Sequence, residues 1–241
     1  MIIPQKMTAK LADFSKLNQR YGWYRFDLTS PAQLHNQAGQ YLMIEVGENT
    51  MRAYSMCDRP DLDSSFEIIL DYRPNGIGVN YIRNLKFGDQ INCLGPLGQL
   101  CVAPEHGDGR LFLLATGSGM SPLHAITIDQ LQLQQTRREL YFFWGANNSS
   151  EFFWLDDFQD LQKSFPNFHF IPTISDPDDS WTLERGYVTD QLRGLELLPS
   201  DHFYLCGNPA MINSTIDYLC RERGLDKTQI TTEQFSAPAS R

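Results

Sequence analysis

The chain has 241 residues, 41% hydrophobic and 12% aromatic, which is enough to bury a proper core and too apolar for a disordered segment. Twenty basic against 29 acidic residues leave a net charge of −9, which repels nucleic acid and anionic lipid surfaces at long range. No apolar run approaches the ~20 residues of a membrane span, and the Met-Ile-Ile-Pro start lacks the basic region of a signal peptide. A soluble cytoplasmic protein of two modest domains is expected, with no nucleic-acid partner and no membrane insertion.

Up to about residue 103 the pattern is short alternating or apolar strands between turn residues, such as 41–46, 65–70 and 90–94. One helix is predicted among them, Val79 to Leu85, stopped by Gly88. Several strands with a single helix imply a small antiparallel β-barrel over residues 1–103. From Gly109 the rhythm changes to apolar strand, turn, amphipathic helix. Strands are predicted at 111–115, 140–144, 169–174 and 203–206, and helices at 123–133, 152–161, 188–195 and 211–220. Such alternation implies a doubly wound parallel α/β sheet over residues 109–241, with ligands at the carboxyl ends of its strands. The polar stretch Pro104 to Gly109 is the expected boundary.

Four segments carry chemistry. Arg52-Ala53-Tyr54-Ser55 supplies a cation, an aromatic face and a hydroxyl; on a strand, alternation sends Arg52 and Tyr54 to one face and Ser55 to the other. Alone it reads better as an edge strand with a solvated Arg and a half-buried Tyr. Gly76-Ile77-Gly78-Val79-Asn80 opens the predicted helix, where glycines and free amides admit a phosphate, although a plain hairpin turn fits too. Thr116-Gly117-Ser118-Gly119, with Pro122 in the first helical turn, has the form of a dinucleotide phosphate loop or of an ordinary glycine turn. Cys206-Gly207-Asn208-Pro209-Ala210-Met211 is a second strand-to-helix junction on the same sheet edge. Cys57, Cys93, Cys101, Cys206 and Cys220 are scattered and show no zinc or iron–sulfur spacing, and the five histidines are equally dispersed, so no metal site is expected.

In that order, with Gly88-Asp89 and Gly95-Pro96-Leu97-Gly98 between them, these segments resemble the ferredoxin–NADP(+) reductase superfamily of flavoproteins over nearly the whole chain. The likeness is greatest to the reductase components of bacterial oxygenases and to free-standing ferredoxin or flavin reductases. The resemblance implies an FAD-binding barrel followed by an NAD(P)-binding domain. Arg52 would hold the flavin pyrophosphate, with Ala53 beside it, Tyr54 would pack on the isoalloxazine, and Ser55 would bond N5. Gly76, Gly78, Val79 and Asn80 would form the flavin phosphate turn; Val79 stands where Ser or Thr is usual. Thr116, Gly117, Gly119 and Pro122 would hold the nicotinamide dinucleotide, with Gly207, Asn208 and Met211 on its other side. Cys206 would lie near nicotinamide C4, Glu233 would join Ser55 and Cys206, and Phe235 would cover the flavin.

Charge decides the expected cofactor. Asp176 follows Ser175 where NADPH-selective relatives often carry Arg, and Asn147 stands where Arg is also frequent, so NADH is expected over NADPH. The expected activity is electron transfer from NADH through FAD to an external ferredoxin-type iron–sulfur protein or oxygenase component, with Arg83 and Lys86 as a local basic patch. Two alternatives are a flavin reductase that releases reduced free flavin and a non-catalytic flavin-carrying module.

Overall fold

In the computed structural model, residues 3–103, 107 and 109–234 are described. Six strands form the first, antiparallel sheet: β1 (Gln5–Lys16), β2 (Tyr21–Ser30), β3 (Tyr41–Gly47), β4 (Thr50–Ser55), β5 (Ser65–Asp71) and β6 (Gln90–Leu97). Their order is β4-β3-β6-β1-β2-β5, and a bridge between Met56 and Ile68 joins the two outer strands and closes the barrel. Inward-pointing residues such as Leu42, Ile44, Phe26, Phe66, Ile68 and Ile91 fill it. The one helix among the described residues of this half, α1 (Ile77–Asn84), lays Val79 and Ile82 into the barrel core.

The second sheet is parallel: β7 (Leu111–Thr116), β8 (Leu140–Ala146), β9 (Phe168–Ile174), β10 (Glu184–Arg185), β11 (His202–Gly207) and β12 (Ile230–Gln234), in the order β10-β9-β8-β7-β11-β12. Around it lie α2 (Met120–Ile128), α3 (Leu155–Ser164), α4 (Val188–Arg193) and α5 (Pro209–Asp217). Strand alternation divides its core in two. Leu113, Phe142, Trp144 and Tyr204 point to α2 and α3, while Phe112, Leu114, Phe143 and Leu205 point to α4 and α5. The first of these layers also takes in Tyr21, Cys57 and Ile69 from the barrel, so the two sheets share apolar packing. After β7 the chain builds outward through β8 and β9, then crosses to β11; the resulting switch point puts residues 116–119 and 207–208 side by side at the carboxyl edge.

The two-part fold class expected from the sequence is present, with differences in detail. The helix predicted at 152–161 starts later, at Leu155, because Phe152 and Phe153 turn inward onto Trp144 and the chain passes through Trp154 at φ +55. The helices predicted at 123–133 and 211–220 each pass into a five-residue π segment, Asp129–Leu133 and Tyr218–Glu222. The expected boundary at 104–109 lies largely outside the described residues.

Candidate functional site

The barrel side of the site is the outer strand β4. Arg52 and Ala53 are exposed on it, Tyr54 is half-buried and Ser55 buried. Arg52 and Tyr54 do share a face, and that face meets the first turn of α1: a Cβ on Gly78 would lie 2.4 Å from Tyr54 Oη and 3.0 Å from Arg52 Cγ. Only a glycine lets the three come together. No side chain caps the N-terminal amides of α1, where Gly76 occupies the capping position. Val79 packs into the core and offers only its amide. The Asn80 side chain does not turn to this face, because its amide donates to the Asn75 carbonyl at 3.2 Å.

On the sheet side the two glycine junctions touch. A Cβ on Gly119 would lie 2.2 Å from the Cys206 carbonyl oxygen, and one on Gly207, at φ +137, would lie 2.4 Å from Thr116 Oγ1. Thr116 Oγ1 accepts a hydrogen bond from the Asn208 amide at 2.9 Å, and the Asn208 side chain caps α5 through the Ala210 amide. Gly117, at φ +59, faces Arg20 and Tyr21 of the barrel. Pro122 and Met211 are buried in their helices and shape the junction from behind. Asp176 is exposed at the end of β9, and its amide donates to the Asn147 carbonyl at the end of β8.

Between the two halves, Ser55 Oγ donates to Glu233 Oε1 at 3.0 Å. Glu233 lies opposite Cys206 in the β11–β12 register, so both side chains project from the same face of the sheet. A Cβ on Gly98 would lie 3.2 Å from Glu233 Oε2 and 2.9 Å from the Tyr41 ring, which walls the carboxylate in. Burial pushes the Glu233 carboxyl above its ordinary range, and the Ser55 bond partly offsets this. Burial, helped by Glu233, pushes the Cys206 thiol well above its own. Phe235 lies outside the described residues.

Sequence reasoning missed a second junction. Arg20, just before β2, donates to Asp71 Oδ2 at 2.6 Å and to Glu151 Oε2 at 2.7 Å. Arg73 completes the group at 3.3 Å from Glu151 Oε1. Arg20, the Asp71–Arg73 stretch and Glu151 are separated by tens of residues, and no local motif joins them.

Residues 8–101 match the family model described as the oxidoreductase FAD-binding domain, and residues 113–217 match that of the oxidoreductase NAD-binding domain. The chain belongs to the ferredoxin reductase-like family. It is thereby an oxidoreductase with FAD- and NAD-binding regions. One component of the Na(+)-translocating NADH-quinone reductase of Klebsiella pneumoniae is 32% identical over 209 residues, covering 79% of this chain and 50% of that protein. Its counterpart from Yersinia pestis is 30% identical over 249 residues, covering 95% and 57%. The chain thus spans about half the length of the curated relatives it matches. Among solved structures, the Amycolatopsis cytochrome P450 reductase GcoB superposes with a TM-score of 0.88 at 26% identity, over 98% of this chain and 71% of that one. The ferredoxin reductase of a carbazole 1,9a-dioxygenase shares the fold, with a TM-score of 0.84 at 24% identity, over 97% and 70%.

The residues present fit the family's cofactors. For the flavin there is a cradle that any side chain at position 78 would fill, an uncapped helix start and the exposed Arg52. For the nicotinamide dinucleotide, the hydroxyls of Ser121 and Tyr21 are buried beside the loop without a hydrogen-bond partner among the described residues. No group of three or more metal-ligating side chains occurs among the described residues, and no helix there is long and apolar enough to cross a membrane.

Proposed function

We propose that the protein takes electrons from NADH through FAD and passes them to an external acceptor, a ferredoxin-type iron–sulfur protein or an oxygenase component. In this reading residues 1–103 are the flavin unit and 109–241 the nucleotide unit. The observation that carries it is the Ser55–Glu233 bond beside Cys206, since it joins the hydroxyl at the end of the flavin strand to the strand pair at the nucleotide junction. A bound flavin supplies hydride acceptance from a two-electron donor and release of electrons singly.

The chain's own groups do the rest. Arg52 and the α1 amides hold negative charge, Tyr54 supplies a flat wall, and Ser55 presents a hydroxyl to the reacting edge. Glu233, held partly out of water, keeps or yields a proton within reach of Ser55 Oγ. Cys206, with its thiol held protonated, offers a neutral, polarisable surface against the nicotinamide instead of a nucleophile. The exposed Asp176 repels a 2′-phosphate and can accept from a ribose hydroxyl, which favours NADH. A cytoplasmic location goes with this reading, because NADH is supplied there.

The test is an anaerobic titration of the flavin-loaded protein with NADH and then NADPH, followed by addition of an oxidised iron–sulfur protein. Bleaching by NADH at a several-fold higher kcat/KM than by NADPH, and recovery of colour with reduction of the acceptor, is expected. Turnover only with added free flavin would replace this reading with that of a flavin reductase. A bound flavin untouched by NADH would leave an electron-carrying module.

A further inference from the structure

The nucleotide edge is crossed by charges from the barrel. Glu151, in the turn after β8, is 12% exposed and bonded on every side. Its Oε2 takes Arg20 Nη1 at 2.7 Å and the Asn147 amide at 3.3 Å. Its Oε1 takes the Asn147 side-chain amide at 3.2 Å and Arg73 Nη1 at 3.3 Å. Asn147 in turn bonds Asp176 through its carbonyl. One carboxylate therefore holds both loops at the ends of β8 and β9 and two guanidinium groups of the other half.

Those loops lie where the far end of a dinucleotide must go. Its nicotinamide end belongs at the β7/β11 switch point, and strands sit about 4.8 Å apart, so an extended dinucleotide crossing the carboxyl edge reaches β8 and β9 within about 10 Å. At that end a 2′-phosphate, the group that separates NADPH from NADH, would seek a cation. Arg20 is committed twice to Asp71, through Nε and Nη2. Arg73 is different: it is half-exposed, and its other carboxylate, Asp71, stands off at 3.9 Å. What keeps Arg73 from a phosphate is Glu151.

We propose that Glu151 is a specificity-determining residue for the nucleotide: it occupies Arg73 and holds Asn147, so that neither offers itself at the adenosine end and the 2′-phosphate finds no partner there. The inference deepens the reading that Asp176 disfavours NADPH and adds a second, positioning group to it. A purely structural Glu151 would hold the domains together and affect both nucleotides alike.

The test uses flavin-loaded wild type, E151Q, E151D and the double variant E151Q/R73Q. For each, kcat/KM is measured for NADH and NADPH with ferricyanide as acceptor, at low and at about 0.5 M salt. E151Q, which keeps the shape and one acceptor for Asn147, should raise the NADPH-to-NADH ratio about tenfold at low salt, the effect of unmasking one partly screened charge. E151D should stay within about twofold of wild type, R73Q should cancel the gain, and high salt should shrink it. Thermal denaturation of each variant checks folding, and E151A repeats the charge deletion should E151Q be unstable. Equal losses with both nucleotides, or a gain that survives R73Q, overturns the proposal. The ratio is taken relative to wild type. A wild type without NADH preference, or one unmoved by D176S, would therefore sink the reading of Asp176 and still decide the role of Glu151.

Discussion

The hydroxyl of Ser55 and the carboxylate of Glu233, 178 residues apart in the chain, are 3.0 Å apart in space. The bond ties the last residue of β4 to a strand that, among the described residues, pairs only with β11. In the proposed function, hydride transfer is answerable to this hydrogen-bonded pair.

Removing the hydroxyl tests this directly. S55A should slow anaerobic flavin reduction by NADH about ten- to a hundredfold, the range for losing one hydrogen bond to a charged or reacting group. Flavin retention should be unchanged, because Arg52 and Gly78 are untouched. Stopped-flow bleaching at saturating NADH separates this from weaker nucleotide binding.

The raised pKa of Glu233 fixes the sign of a pH effect. Its folded form holds the proton more tightly than the unfolded chain does, so its contribution is full below the ordinary glutamate value of 4.5 and is lost as pH rises through the raised folded value. Wild type should therefore lose melting temperature relative to E233Q across that window and run parallel to it above. A wild-type deficit relative to E233Q that grows as pH falls, instead of as it rises, would contradict the assignment.

At Gly78 the added methyl of alanine meets the end of the Tyr54 side chain and the stem of Arg52. Both can swing away, and alanine suits a helix better than glycine by about 1 kcal/mol, so G78A should fold at least as well as wild type. It should retain flavin at least about tenfold less tightly, since the displaced groups are those proposed to hold it. Equilibrium dialysis against FAD gives the number.

Gly119 offers no such escape, because its methyl would strike the backbone of Cys206 and Gly207. G119A should lower stability by about 1–3 kcal/mol in urea denaturation and abolish saturation with NADH. Unchanged stability would mean that the two junctions are not in contact.

The parallel sheet was legible because runs such as Leu111 to Ala115 are apolar throughout, as strands buried on both faces must be. The close approaches at Gly78, Gly119 and Gly207 were legible because glycines at a strand-to-helix junction declare them. What escaped was non-local. β12 is too polar to read as a strand, and its place comes from pairing with Phe203 to Gly207. The long strands β1 and β2 were blurred by register shifts between Thr8 and Ala9 and between Leu11 and Asp13, which break the alternation. The Arg20–Asp71–Glu151–Arg73 group draws on both halves of the chain, and no window of sequence contains it.

β12 follows every other described element in the chain, and it brings Glu233. During synthesis from the N-terminus, the Gly78 cradle and the Thr116–Cys206 junction can form before this residue emerges. A nascent chain that has not reached Ile230 lacks the carboxylate that bonds Ser55. In the proposed reading, the group that joins the two halves thus arrives after the elements that build their cores.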